Sequence, residues 1–476
     1  MLEIPDNEVL DALREENPWW QPGGGVDALT RALPRRAYLA SFGELVRQTE
    51  VQRAVVLMGP RRVGKSVLVH HCIHELLTQH GVQGRDVLYV MLEKPIYAQL
   101  SLGDLVARFR QLHKRPPGQR LYIFFDEIQY LADWEVHLKT LVDQHRDLRL
   151  VATGSSAAAL KRRSKESGAG RFTDFTLPPL TFAEYLRFIG REEELIRTED
   201  GASAPRYTAP HITALNAAFV DYLNQGGYPE AVANPLVAAD PQRYIKSDII
   251  DKVLLRDLPT LYGITDIQEL NRLFTTLAYH TSREITIDEL SKTSNVARNT
   301  LIKYMDYLEA AFLIRHMRRV DEDAAHFKRK ATFKVFLTNP TMRSALFKPL
   351  RMGHESLPLL VETAVFAQWI HNKDFIDSLH YARWKSGEID FVSLDPLGRP
   401  RFAVEVKWSD ATPDDPRPLK SLVAFCKKHP LARTPLVTTI TRTERITYLD
   451  QEIEFAPASL HCYTVGKNTL ERSVRY

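Results

Sequence analysis

The run Gly59-Pro60-Arg61-Arg62-Val63-Gly64-Lys65-Ser66 limits what this chain can fold into more than any other stretch. It lies between an apolar segment, residues 54–57, and an amphipathic one that begins Val67-Leu68-Val69. Strand, glycine-bounded loop and helix in that order make a phosphate cradle: the loop turns backbone N–H groups inward and the helix N-terminus adds a positive dipole. Gly59 and Gly64 are expected to take backbone angles that a Cβ resists. Lys65 is expected to reach the β- and γ-phosphates of ATP, and the Ser66 hydroxyl to ligate Mg²⁺. Pro60, Arg61, Arg62, Val63 and Val67 complete the predicted nucleotide-binding set.

A second motif belongs with the first. Residues 121–125 are apolar throughout and end in Asp126-Glu127. Carboxylates at the C-terminal end of a buried parallel strand sit at the ligand edge of the sheet. Asp126 is placed to hold Mg²⁺, and Glu127 to polarise the water that attacks the γ-phosphate, a catalytic role it shares with Lys65. Between the two motifs, residues 87–91 read as a strand and 102–112 as a helix. Alternating strands and helices imply a parallel sheet covered on both faces, an α/β fold. A further strand, residues 148–152, runs into Thr153-Gly154-Ser155-Ser156. Ser155 is the candidate sensor of the γ-phosphate, against the plainer role of a helix N-cap. Arg171, beside Gly168-Ala169-Gly170, is a candidate for neutralising transition-state charge in cis or from a neighbouring subunit, against that of a solvated surface arginine. Trp19 and Trp20 suit either stacking on a base or the packing of an N-terminal arm.

At 476 residues the chain exceeds what one hydrophobic core supports, so several domains are expected. A formal charge of +4 says little about partners, and only local clusters of Lys and Arg can argue for nucleic acid. The three cysteines, Cys72, Cys426 and Cys462, have no metal-ligand or redox spacing and read as buried thiols in a reducing setting. With no apolar run of bilayer length and no leader-like N-terminus, the expectation is a cytoplasmic protein without a membrane partner.

Past a polar connection near residues 192–210, residues 211–223 and 241–254 carry helical periodicity, expected as a lid at 205–275. Ile287, Leu290, Val296, Leu301, Met305 and Leu308 then fit two helices joined by a tight turn, followed by a strand at 312–314. That is a winged helix, predicted for 276–335, with Arg298, Asn299 and Lys303 facing outward. Its wing carries Arg315, Arg318, Arg319, Lys328, Arg329 and Lys330, interrupted by Asp321, Glu322 and Asp323. DNA is the expected partner; a protein partner is the open alternative.

The tail, 336–476, reads as αβββαβ: a helix with Glu362, strands at 379–384, 389–394 and 401–407, a helix near 419–428 and a strand at 436–440. If Leu394 pairs with Arg401 across the turn, Asp390 falls opposite Glu405 and Glu388 opposite Lys407. Like charges directly opposed on a sheet repel, so a cation between them is expected. Mg²⁺ held by Asp390 and Glu405, with Lys407 on the same face, meets that need.

Taken together, the loop, Phe125-Asp126-Glu127-Ile128-Gln129, Thr153-Gly154-Ser155-Ser156, Gly170-Arg171-Phe172 and residues 177–185 resemble the prokaryotic ATPases of the AAA+ superfamily that carry an uncharacterised C-terminal domain. The resemblance runs on through Gln225-Gly226-Gly227-Tyr228-Pro229 to the end of the chain. It implies an AAA+ P-loop core at 1–195 with an N-terminal arm, a helical lid, a winged helix and a restriction-endonuclease-like tail. In the tail, Gly387-Glu388-Ile389-Asp390 and Ala403-Val404-Glu405-Val406-Lys407 match the nuclease pattern Asp…Glu-x-Lys. The resemblance implies Asp390, Glu405 and Lys407 as catalytic, with Glu362 completing a metal site formed with Asp390 and Glu405. The expected function is an ATP-hydrolysing switch that binds DNA and carries a Mg²⁺-dependent nuclease-like domain. The alternative is an ATP-gated scaffold or remodeller whose nuclease-like domain does not cut.

Overall fold

The computed structural model describes residues 5–48, 50–154, 170–200, 205–324 and 332–473. The chain divides into two compact units between Pro178 and Pro179. This differs from the four domains expected, and residues 179–195 join the second unit rather than the nucleotide-binding core.

The first unit is built on β1 (Ala54–Met58), β2 (Val87–Met91), β3 (Leu121–Asp126), β4 (Leu148–Gly154) and β5 (Phe172–Thr176). Their order is β2-β3-β4-β1-β5 and every neighbouring pair is parallel. Every residue of β1 and β4 is buried, as apolar strands inside a doubly covered sheet must be. The helices α1 (Asp6–Glu16), α2 (Leu39–Arg47), α3 (Lys65–Thr78), α4 (Leu102–His113) and α5 (Trp134–Gln144) belong to the same unit. Parallel pairing brings the C-terminal ends of all five strands to one edge, where Gly59 and Asp126 follow from β1 and end β3.

An N-terminal arm closes the outer edge of β2. The Asn17 side-chain N–H donates to the Tyr89 carbonyl at 2.8 Å while its oxygen accepts from the Tyr89 N–H at 2.7 Å, so one side chain copies the bonding of a peptide unit. The Trp19 and Trp20 indole N–H groups both donate to the Val87 carbonyl, and Trp20 stacks on Phe109. Packing of the arm accounts for both tryptophans.

The second unit holds a small pair, β6 (Arg197–Glu199) with β7 (Arg206–Thr208), and a nine-stranded sheet. The large sheet comprises β8 (Glu284–Thr286), β9 (Ile314–Val320), β10 (Thr332–Leu337), β11 (Leu379–Trp384), β12 (Gly387–Leu394), β13 (Pro400–Glu405), β14 (Leu436–Thr439), β15 (Glu444–Tyr448) and β16 (Gln451–Pro457). Their order is β15-β16-β14-β13-β12-β11-β9-β10-β8. The helices used below are α6 (Phe182–Phe188), α7 (Ile212–Gln225), α8 (Ile267–Tyr279), α9 (Ile287–Ser294), α10 (Arg298–Ala310), α11 (Leu357–Trp369), α12 (Lys420–Lys428) and α13 (Ala458–Ser473).

Two features explain why the expected lid, winged helix and tail are one body. Strand β9 pairs with β10 on one side and, in parallel, with β11 on the other, His380 facing Arg318 and Ala382 facing Val320. One core also gathers Phe182 of α6, Phe219 and Tyr222 of α7, Val361 and Val365 of α11 and Tyr463 of α13. Burial shared in this way ties residues 212–225 of the expected lid to the helices of the tail. Among the described residues no helix is long and apolar enough to cross a membrane.

Candidate functional site

At the end of β1 the backbone is clamped. The Leu177 N–H donates to the Met58 carbonyl at 2.7 Å, and a Cβ on Gly59 would stand 2.2 Å from the Leu177 oxygen. Gly59 is therefore needed for close approach, and it is not among the glycines with positive φ. Gly64 does have the predicted backbone freedom, with φ 89° as the N-cap of α3, and Arg62 takes φ 64°. Arg36, 4% exposed, donates to the Val63 carbonyl of the loop at 2.7 Å and to the Pro178 carbonyl at 2.8 Å. Lys65 is folded back onto the loop, its ammonium 3.2 Å from the Gly59 carbonyl and 3.1 Å from that of Pro60. Pro60, Arg61 and Val63 complete the loop, and Val67 lies in the first turn of α3.

Asp126 gathers donors from three neighbouring elements. Its Oδ2 accepts from Ser66 Oγ and from the Tyr89 hydroxyl, each at 2.7 Å, and its Oδ1 accepts from Thr153 Oγ1. The same Thr153 oxygen accepts the Glu127 N–H at 3.1 Å, which fixes Glu127 in the left-handed region at φ 55°. The Glu127 carboxylate is held in turn by the Gln129 side-chain N–H. Burial, with the Asp126 charge adding to it, raises the Tyr89 phenol well above its ordinary pKa, so its proton stays on as a donor.

In the second unit, the hairpin of β12 and β13 keeps the expected register in its body, Phe391 facing Val404 and Ser393 facing Phe402. At the turn a bulge pairs Leu394 with Pro400 instead of Arg401. Asp390 precedes Phe391 and Glu405 follows Val404, one step farther from the turn, and Asp390 Oδ2 accepts the Val406 N–H at 2.9 Å. The Lys407 ammonium is 2.7 Å from Glu405 Oε1, while Glu405 Oε2 is buried without a hydrogen-bond partner. Lys407 is anchored by its backbone, which exchanges both hydrogen bonds with the Thr438 hydroxyl.

The cation facing this cluster is Lys334 of β10. Its ammonium is 2.9 Å from Glu362, 3.0 Å from Glu388 and 3.2 Å from Asp390, and its side chain is 4% exposed. Burial pulls its pKa down, but the three carboxylates outweigh that and hold it well above the usual value. Burial also pushes Glu362 up to about 8 and Glu405 up to about 7, with Asp390 adding its repulsion to both. Of the expected metal set, Glu362 and Asp390 are engaged by Lys334 and Glu405 by Lys407. Among the described residues no group of three or more His, Cys, Asp or Glu side chains is arranged to hold a metal ion.

Residues 51–186 match the family described as AAA domain. The chain carries an AAA domain. Residues 216–353 match a family described only as a domain of unknown function, DUF8612. The chain is similar to an uncharacterized protein of Haemophilus influenzae, 26% identical over 367 residues, covering 74% of this chain and 82% of that one. An uncharacterized protein of Methanocaldococcus jannaschii is 23% identical over 366 residues, covering 73% and 74%. Solved structures that align include the Aeropyrum pernix ORC1 protein in complex with DNA, at TM-score 0.32 and 15% identity over 67% of this chain and 94% of that one. Cdc6p of Pyrobaculum aerophilum aligns at TM-score 0.27 and 13% identity over 68% and 97%. Overlaps that low carry no functional argument.

Within the AAA domain, Ser66 and Asp126 fit a Mg²⁺ ion that arrives with nucleotide. They are two adjacent oxygen groups at the ligand edge, and Mg²⁺ takes its remaining ligands from phosphates and water. Arg171 does not join them. It precedes β5, which starts beside the first residue of β1, so it lies at the opposite edge from the loop and pairs with Asp143 at 3.1 Å. Ser155 lies outside the described residues, as do Lys328, Arg329 and Lys330.

Sequence reading did not assign Thr153, Tyr89, Gln129 or Arg36 to the candidate site. The signal available for Thr153 was a hydroxyl in the last turnless positions of an apolar strand next to the one ending in Asp126. On α10, Arg298, Asn299 and Lys303 are exposed as expected, with Arg298 2.8 Å from Asp288. Arg315 pairs with Asp377, and Arg319 donates to the Arg383 carbonyl, leaving Arg318 exposed on β9.

Proposed function

We propose that the chain is an ATP-hydrolysing switch that binds DNA through its second unit, whose nuclease-like cleft does not cut while Lys334 stands in it. The observation that carries the ATPase half is the constellation of Ser66, Asp126, Thr153 and Glu127 at one sheet edge beside the loop. Lys65 would leave the Gly59 and Pro60 carbonyls to meet phosphate oxygens, and Ser66 with Asp126 would hold Mg²⁺, which supplies charge neutralisation on the phosphates. Glu127, once released by Gln129, orients the attacking water.

For the DNA half, support comes from the order α8-β8-α9-α10-β9-β10, that of a winged helix, with Arg298, Asn299 and Lys303 outward on its third helix. Such groups suit phosphate contact. A second reading, Mg²⁺-dependent cleavage, is favoured by one observation: Asp390, Glu405 and Lys407 do adjoin, and Glu405 keeps an oxygen without a partner.

One set of assays on the full chain separates these readings. ATP turnover should vanish in Lys65→Ala, and turnover retained there refutes the ATPase assignment. Duplex binding should weaken in Lys303→Ala for every sequence alike, with the salt slope reduced by about 1. With plasmid and Mg²⁺, with and without ATP, wild type should nick no more than Glu405→Ala; nicking lost only in Glu405→Ala replaces the first reading with the second.

A further inference from the structure

Lys334 is more than one residue in an ion-pair network, because of what surrounds it. Three carboxylate oxygens from two elements, α11 and β12, converge on one ammonium at 2.9–3.2 Å, and the Tyr381 ring lies 5.5 Å away on a further side. A set of hard oxygen donors around a buried positive charge is the environment that divalent cations seek. Here the chain supplies the charge itself.

The charges also account for the cluster. Arg383 stands 3.3 Å from Glu388 and matches it. Glu362, Asp390 and Glu405 then face Lys334 and Lys407, three carboxyl groups against two ammonium groups. A divalent cation entering beside Lys334 would add two positive charges and meet a like charge at about 3–4 Å, with little water to screen it. It would also find both Asp390 oxygens engaged, Oδ1 by Lys334 and Oδ2 by the Val406 N–H. Without the ammonium, Glu362 and Asp390, each 13% exposed, would stand beside the half-buried Glu388 with no cation between them, which is costly unless another positive charge takes the place.

We propose that Lys334 is a built-in cation that takes the place of a metal in the cleft, and that its removal turns Glu362, Glu388 and Asp390 into a binding site for a divalent cation. The inference rests on reading the second unit as a nuclease-like cleft, but it requires neither DNA binding nor cleavage. The test uses neither ATP nor nucleic acid, so its failure and the failure of the functional reading are distinguishable.

The experiment is Mn²⁺ titration of the nucleotide-free full chain, followed by electron paramagnetic resonance and by thermal melting. Without nucleotide, the AAA domain lacks the phosphates that complete its own cation site. Wild type and Lys334→Arg should show no saturable site that depends on Asp390. Lys334→Met should gain one, at least about tenfold tighter than any wild-type binding, and lose it again when combined with Asp390→Asn. If Lys334→Met is unstable alone, Mn²⁺ should raise its melting temperature and leave that of wild type unchanged. A wild-type site abolished by Asp390→Asn overturns the proposal. So does a Lys334→Met protein whose Mn²⁺ affinity and melting match wild type.

Discussion

Replacing Tyr89 with Phe removes one hydroxyl from the centre of the AAA domain and leaves the ring that fills the space. Tyr89 is 2% exposed and Asp126 1% exposed, so no solvent replaces the lost 2.7 Å bond. The Tyr89 backbone is pinned on both sides by Asn17, so the ring has no freedom to shift toward another partner. A hydrogen bond to a charged acceptor contributes about 1.5–3 kcal/mol. Because Ser66 and Thr153 still donate to Asp126, the expected cost lies in the lower part of that range, about 1.5–2 kcal/mol. For a unit of this size, 1 kcal/mol shifts Tm by about 2–4 °C, so the expected loss is about 3–8 °C. The assay is differential scanning calorimetry of the nucleotide-free full chain. The transition of the AAA domain is identified as the one that rises when a non-hydrolysable ATP analogue and Mg²⁺ are added. Adding Thr153→Val should cost more than the sum of the two single changes, because both hydroxyls serve one carboxylate. A shift below about 1 °C for Tyr89→Phe would refute the view that the phenol helps to hold Asp126.

Two further outcomes are expected. Gln129→Ala should raise basal ATP turnover by freeing the Glu127 carboxylate; a loss of turnover would instead make Gln129 a residue that positions Glu127 for the reaction. Glu362 and Glu405 keep their protons in the folded chain up to about 8 and about 7, against 4.5 for an ordinary glutamate. The folded state therefore binds more protons than the unfolded state from about pH 4.5 upward, and stability falls as pH rises through that window. Melting of the second unit should be lower at about pH 8.5 than at about pH 5.5, with a smaller difference in Glu362→Gln; equal melting of wild type at both values removes the argument.

How much could be read in advance depended on whether a residue's role is set by near neighbours in the chain. The loop, its helix and the acidic pair after β3 are local signals, and so is the αβββαβ order of the tail. Strand β5 escaped notice because Phe172-Thr173-Asp174-Phe175-Thr176 is half polar and none of its residues is fully buried, as befits an edge strand. Arg171 was misplaced for the same reason: without the strand, its edge of the sheet was unknown. Lys334 could not be assigned from spacing, because its partners are 28, 54 and 56 positions away and β10 reads as the strand of a wing. Thr153 went unassigned because its partner Asp126 is 27 positions away on the neighbouring strand.

The parallel seam between β9 and β11 has a consequence for how such a chain can be divided. The domain border expected from the sequence, between residues 335 and 336, invites a cut between a winged-helix piece and an enzyme-like tail. Here that cut would expose two raw sheet edges, one along β9 and one along β11, each presenting unpaired peptide groups to solvent and to other copies. It would also part Lys334 from Glu362 and Asp390, leaving its ammonium on one fragment and their carboxyl groups on the other. The second unit can therefore be inherited, transplanted or expressed only as a whole, and a change in its helices is felt by the cleft through continuous backbone rather than across a hinge.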